Sequence, residues 1–354
     1  EFILIGCLLF SANTLQLFNQ NVNFDNSHPL PHQKVLAIVA PTYNRAQPLF
    51  YRCYRGSHYD QTMVDILQRV ISDTGNFFGV ACTTTDLVRE ACRRHDVGPT
   101  AAVALGRSLT GAILLSSLLK DGQSVALKFE GNGPLRKIIA EAGFDGWARG
   151  YVAEPHAQVP LRNGQIDVAA GIGRAGYLTV VKNIGTGRNY PGTIELYTSE
   201  IGEDLACYLS QSEQTPSAIG LATQLGPDGS IGCAGGFLIQ SLPPADEDLL
   251  TRLETQILQM PPLSSLLLAG VSPAEILADL FAEVPHRQTA SKQLRYACSC
   301  SREKMELALL TLGHHDLHEL REKENGADVR CEFCRQLFHF SATDLTKLMQ
   351  TKTS

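Results

Sequence analysis

Four cysteines near the C-terminus constrain this chain more than any other feature. Cys298-Ser299-Cys300 sets two thiols two residues apart, so an extended backbone projects both to one face. Cys331-Glu332-Phe333-Cys334 has the two-residue gap of a metal knuckle. Together they offer four sulfur ligands, enough to close a tetrahedral zinc site. The 30 residues between the motifs exceed the gap of common zinc fingers, but they can form helices. Met305, Leu309 and Leu312 share one helical face, and Gly313 can end the run. Residues 294–348 then make a module of about 55 residues whose core is too small to carry it, so metal binding supplies much of its folding free energy. A thioredoxin-like reading of the second motif explains only half of the constellation. His314, His315 and His318 lie on a polar helix and are expected to face solvent.

The chemistry of such a site follows from thiol acidity. A free thiol, with a pKa of about 8.5, is mostly protonated at neutral pH, whereas a coordinating thiol is deprotonated. A bound ion therefore stores four thiolates, the form that oxidants attack. Oxidising all four would release the ion, unfold the module and uncover any apolar surface that it masks. A permanently structural site is the other reading, and the spacing leaves both open.

The rest of the chain reads as α+β. Of the 354 residues, 44% are hydrophobic and 19% charged, as in ordinary globular proteins, and the length suits two domains. Between Met63 and Leu242, strand patterns (SVALKFEG, WARGYVAE, YLTVVKNI, GTIELYT) mix with helices without a βαβ repeat. Thr84 or Thr85 can cap a helix through LVREACRRH, and Ser199 can cap an acidic first turn holding Glu200, Glu203 and Asp204. Ala101 to Leu119 is nearly long enough to span a bilayer, but Arg107, Ser108, Thr110, Ser116 and Ser117 interrupt it. It is expected to be a buried core helix, with Gly106 and Gly111 admitting neighbours closely. Gly171, Gly173 and Gly176 spell a dinucleotide-binding loop, yet the strand-like Tyr177-Leu178-Thr179-Val180-Val181 follows where phosphate binding needs a helix. Gly131-Asn132-Gly133-Pro134 and Pro227-Asp228-Gly229 are turns.

Pro243 and Pro244 close this domain, and residues 243–293 read as an amphipathic helical linker. Leu249, Leu253 and Ile257 recur every four residues, and Ser272-Pro273-Ala274-Glu275 is a capping box before Ile276, Leu277, Leu280 and Phe281. Such faces either pack permanently or are released conditionally. Residues 1–62 hold only seven charged residues and irregular Asn, Pro and Gln clusters, so they read as an unstructured extension of uncertain origin. Its apolar stretch FILIGCLLF lacks the basic start and the cleavage site of an export signal. The net charge is −6, or −7 without the extension, so the long-range field repels phosphate and disfavours a general nucleic-acid binder. No membrane span and no catalytic grouping can be argued from spacing, so an enzyme is not expected.

From about Val64 to Leu348 the chain resembles the 33 kDa heat-shock protein family, redox-regulated holdase chaperones of the bacterial cytoplasm. The resemblance rests on TTTDLVREACRRH, LKFEGNGPLRKIIAEA, RGYV, SEQTPSA, CAGGFLIQ, MPPLSSLL, CSCSREKMELALLTLG and CEFC. It implies an N-terminal α+β domain (63–242), a helical linker (243–293) and a zinc domain (294–348) whose ion is held by Cys298, Cys300, Cys331 and Cys334. It further implies a largely inactive reduced form. Oxidation would pair Cys298 with Cys300 and Cys331 with Cys334, release zinc and unfold the linker and zinc domain. The product would be a dimer that binds unfolding client proteins without ATP. Residues 1–62 have no counterpart in the family pattern. Cys82, Cys92, Cys207 and Cys233 lie outside the motif and are expected to be core thiols. A static zinc-ribbon adaptor for nucleic acid or a translation partner is the runner-up, and an oxidoreductase built on Cys331 and Cys334 is the third reading.

Overall fold

Two six-stranded sheets, one with alternating buried and part-exposed side chains in its central strands and one with strands buried nearly throughout, enclose one apolar helix. The computed structural model describes residues 3–6, 64–185, 189–243, 246–323 and 325–351; apart from Ile3–Gly6, the extension lies outside them. The first half of the chain holds β1 (Ile3–Gly6), β2 (Ile66–Ser72), β3 (Phe77–Thr83), α1 (Thr85–His95), α2 (Pro99–Ser116), β4 (Ser124–Gly131), β5 (Lys137–Gly143) and β6 (Trp147–Val152). Next come β7 (Leu161–Arg162), β8 (Gln165–Ile166), α3 (Val168–Ile172), β9 (Gly176–Asn183), β10 (Asn189–Glu195), α4 (Ile201–Gln211), β11 (Ser217–Leu225) and β12 (Ile231–Ser241). The remainder holds α5 (Glu247–Gln259), α6 (Leu263–Leu268), α7 (Pro273–Leu280), β13 (His286–Gln293), β14 (Arg295–Tyr296), α8 (Arg302–Leu310), α9 (His314–Lys323), β15 (Gly326–Arg330), β16 (Leu337–Ser341) and α10 (Ala342–Thr351). One sheet runs β1-β11-β12-β3-β2-β13 and the other β10-β9-β4-β5-β6-β14, so the fold is α+β.

Helix α2 packs against both sheets, and every residue from Thr100 to Ser116 except Arg107 is buried. Its glycines admit the neighbours: a Cβ at Gly106 would lie 2.7 Å from the Thr223 side chain, and one at Gly111 would lie 2.5 Å from Leu205. Ser108 and Thr110 donate to carbonyls one turn back, and Arg107 Nη1 pairs with Glu200 at 2.8 Å, while its Nε, buried, has no hydrogen-bond partner among the described residues. Among the described residues no helix is long and apolar enough to cross a membrane. The Gly171–Gly176 stretch leads straight into β9 and packs on the Gly131–Gly133 turn, where Gly133 N–H donates to Ile172 O at 2.7 Å.

Two expected caps are supplied differently. The N-terminus of α1 is held by Asp65, whose Oδ2 accepts the Leu87 N–H at 2.7 Å, while the Thr84 hydroxyl meets that of Thr110. Ahead of α4, Asp204 Oδ1 accepts the Tyr197 and Thr198 N–H groups, and the Ser199 hydroxyl donates instead to Gly173 O at 2.6 Å.

Strand β3, FFGVACT, is buried at all seven positions because both faces of its sheet are covered. Phe78, Val80 and Cys82 face the α2 core, while Phe77 and Ala81 join Val70, Phe237 and Ile239 beneath α5, α6 and α7. The linker helices contribute Leu250, Leu253, Ile257, Leu263, Leu267, Ile276, Leu277, Leu280 and Phe281 to that second core. The capping box at Ser272 and Glu275 starts α7 as the sequence indicates. The 243–293 span does not end in helix: His286–Gln293 is an edge strand, exposed at six of eight positions, and so carries no apolar period to read.

One linker residue opposes the packing. Glu254 is 9% exposed on the buried side of α5, its Oε1 has no hydrogen-bond partner among the described residues, and burial pushes its carboxyl up to about 7 from 4.5. The docked helix therefore holds a proton that a released helix gives up. Docking of α5 is expected to be tightest below pH 4.5, to weaken as pH rises to about 7, and to level off above. Apolar-dye binding by the reduced protein from pH 4 to 8 tests this, and Glu254→Gln should flatten the profile; a profile identical in both proteins would exclude Glu254 as its source.

Candidate metal centre

The strand β14 ends at Tyr296, and the Ala297 N–H donates to Ala148 O at 3.1 Å, which fixes where Cys298 and Cys300 emerge beside β6. Cys331 and Cys334 sit in the tight turn between β15 and β16. That turn is closed by Cys331 N–H to Gln336 O and Arg335 N–H to Cys331 O, both 2.9 Å, with Arg335 in the left-handed region (φ 63°). All four Sγ atoms lie within 4.8 Å of one another. The contacts cross between motifs: Cys298 to Cys331 is 3.8 Å and Cys300 to Cys334 is 3.3 Å. Tetrahedral zinc with Zn–S of about 2.3 Å separates its sulfurs by about 3.8 Å. The donor set thus fits one ion gripping both motifs, and the structure brings all four expected ligands together. His315 and His318 are exposed and stand apart from this group, and the His314 side chain lies outside the described residues.

The thiols differ electrostatically. Burial raises the Cys298 pKa, but the Cys300 N–H and the Arg149 guanidinium outweigh it, and the net effect lowers it to about 7. Cys300 and Cys334 are shifted upward, chiefly by burial. Away from the site, Cys82 is fully buried and its thiol is pushed far up by desolvation, while Cys92 is pushed to about 12. These are inert core thiols.

Three core residues that spacing arguments did not single out tie this centre to β6 and α1. Arg149 Nη1 donates to Cys298 Sγ at 3.3 Å, its Nε and Nη2 bond Glu141 at 2.9 and 2.7 Å, and its guanidinium carbon stands 4.2 Å over the Phe333 ring. The Phe333 carbonyl, inside the second motif, bonds His95 Nε2 at 2.8 Å and accepts the Tyr296 hydroxyl. Tyr151 meets Phe333 edge-on at 5.4 Å. Arg149, Tyr151 and His95 lie within the RGYV and TTTDLVREACRRH stretches, so the signal was present without a role attached. Arg149→Met should weaken docking of the module by about 2 kcal/mol, from one charge-assisted bond and one cation–π contact. The expected readout is faster amide exchange at Ala297 with metal content unchanged; unchanged exchange would show that Arg149 is not part of the clamp.

Fold and site together define a class: an α+β protein with an apolar sheet face under a helical cover and, at its C-terminal end, a four-thiol module that could hold a metal ion. Residues 65–341 match the family described as Hsp33 protein, and the chain belongs to that family. It is 58% identical over 287 residues to the 33 kDa chaperonin of Desulfotalea psychrophila, covering 81% of this chain and 98% of the relative. It is 46% identical over 299 residues to the 33 kDa chaperonin of Geobacter sulfurreducens, covering 84% and 99%. The crystal structure of the 33 kDa chaperonin (Hsp33 homologue) from Thermotoga maritima superposes with a TM-score of 0.76 at 32% identity, covering 82% of this chain and 99% of that one.

Proposed function

We propose that this protein is a zinc-gated, oxidation-activated holdase of the cytoplasm, which binds unfolding clients without ATP. The observation that carries the reading is the cover on the first sheet: α5–α7 bury an apolar face that holds Phe77, Phe237 and Ile239, and the chain leaving α7 passes through β13 and β14 to the thiol centre. In this reading residues 63–242 are the chaperone core, 243–293 the linker and 294–348 the zinc domain. Cys298, Cys300, Cys331 and Cys334 ligate Zn2+ in the reduced, inactive form. Each disulfide, Cys298–Cys300 and Cys331–Cys334, forms as two thiolates give two electrons to one hydrogen peroxide, which takes up two protons and leaves as two waters. With its thiolates consumed, the ion departs, the module unfolds, and the linker helices lose their anchor. The exposed sheet face then binds clients and favours a homodimer.

The test follows zinc release, disulfide mapping and far-UV circular dichroism in one peroxide titration, beside light scattering of a thermally unfolding client. Zinc loss, both near-neighbour disulfides, reduced helicity and suppressed scattering are expected to rise together. Equal suppression by reduced and oxidised protein, or zinc retained after both disulfides form, would refute the switch.

A further inference from the structure

The segment between α7 and the thiol centre acts as a strap that closes the open edges of both sheets. Strand β13 pairs antiparallel with β2 from His286 opposite Ser72 to Gln293 opposite Ile66, with one irregularity at Thr289. It continues as β14, which pairs in parallel with β6 through Arg295 opposite Trp147 and Tyr296 opposite Ala148. Backbone bonds stitch the run from end to end: Asp73 N–H to Pro285 O at 2.9 Å, Leu294 N–H to Asp65 O at 2.8 Å, Arg295 N–H to Gly146 O at 3.0 Å and Ala297 N–H to Ala148 O at 3.1 Å. Gly146 permits the crossing from one sheet to the other, since a Cβ there would lie 2.4 Å from Gln293 O.

Along β13 the strap is held mostly by its main chain. The β13 sequence, HRQTASKQ, is polar and exposed at six of eight positions, while the buried Leu294 and the Tyr296 hydroxyl anchor the far end. Such an edge accepts backbone with little regard to sequence, because main-chain hydrogen bonds give the affinity and outward side chains are unconstrained. Uncovered strand edges are also the surfaces on which unfolding chains pair.

We propose that the edges of β2 and β6, once the strap leaves, take an extended segment of an unfolding client as an added strand. The claim rests on the proposed switch, because the strap must leave first. It adds a backbone-directed site beside the apolar face, and the strap itself shows what fits there: roughly a dozen extended residues, antiparallel on β2 and parallel on β6. Outward, sequence-tolerant pairing suits partners that share only an exposed main chain.

Amide hydrogen exchange of the full-length protein tests this, using carboxymethylated α-lactalbumin as a permanently unfolded probe. In the reduced protein, amides of Ile66–Ser72 and of Gly146–Ala148 are expected to be protected. Oxidation should speed exchange at those alternate amides that face the strap, and not at those facing β3 or β5. Adding the probe should slow them again by about tenfold, while residues 285–297 stay unprotected. Probe binding with these edge amides still fast would overturn edge pairing and leave the holdase reading standing. Recovery of protection in residues 285–297 themselves would overturn it too, since the strap rather than the client would then fill the edge. Edge amides that stay protected after both disulfides form would overturn the edge site and the switch together.

Discussion

Chelating the proposed zinc from the reduced protein should unfold the segment from Cys298 to Leu348 and leave both six-stranded sheets folded. The reason is the size of its core. Leu309, Leu317, Phe340, Leu345, Leu348 and Met349 are its buried apolar side chains, around one two-stranded hairpin and three helices. Cores of modules this small rarely supply more than about 3–5 kcal/mol of net stability. Structural zinc in comparably small domains binds with about 10–16 kcal/mol at neutral pH. The metal term is several times the core term, so its removal decides the state. Segment-resolved hydrogen exchange under reducing conditions, with and without a zinc chelator, is the direct measurement. Protection should vanish in α8, α9, α10 and the β15–β16 hairpin while α2 and β3 remain slow. Cys334→Ser should reproduce the result without chelator. A metal-free module that keeps its helices would place its stability in packing, and the gate would need another trigger.

Phe281→Ala should release the linker cover without any oxidation. Phe281 is fully buried at the end of α7, and its ring lies where a Cβ on Gly79 would come within 2.6 Å, so it fills the closest approach of helix and sheet. Phe→Ala in a core typically costs about 3–5 kcal/mol. Here most of that loss falls on α7, whose other fully buried anchors are Ile276, Leu277 and Leu280. The variant is expected to bind apolar dye and to suppress client aggregation while reduced and zinc-loaded. Far-UV dichroism that retains the sheet signal separates release of the cover from global unfolding. If Phe281→Ala exposes the sheet yet leaves clients unprotected, the apolar face is not sufficient for binding.

Much of this was legible in the sequence, for physical reasons that differ by element. The thiol centre could be read because metal ligation needs a particular donor chemistry at short spacing, and both motifs meet it. Helix α2 could be read because an apolar run broken by small hydroxyl residues and glycines fits a crowded core better than lipid. Strap and clamp were harder. Strand β13 is bonded by its backbone and exposed in its side chains, so nothing in HRQTASKQ records that it is a strand. The cap of α1 comes from Asp65, 22 residues before Leu87, and side-chain spacing cannot reveal a partner brought in by a sheet. Phe333 reads as filler between two ligands, and only the fold shows Arg149, Tyr151 and His95 gathered around it.

The pairing of β13 with β2 also sets an order of events at birth. Ile66 is synthesised well over two hundred residues before its partner Gln293. When Leu242 leaves the ribosome the strands β2, β3, β11 and β12 are complete, but the cover and strap are still about 55 residues away. At about 5–20 residues per second, that interval lasts about 3–11 s. Every newly made molecule therefore passes through an uncovered form during translation, before the four-thiol cluster can assemble. In the proposed switch, the speed of the ribosome thus joins zinc supply and peroxide in setting how much of the open state a cell contains.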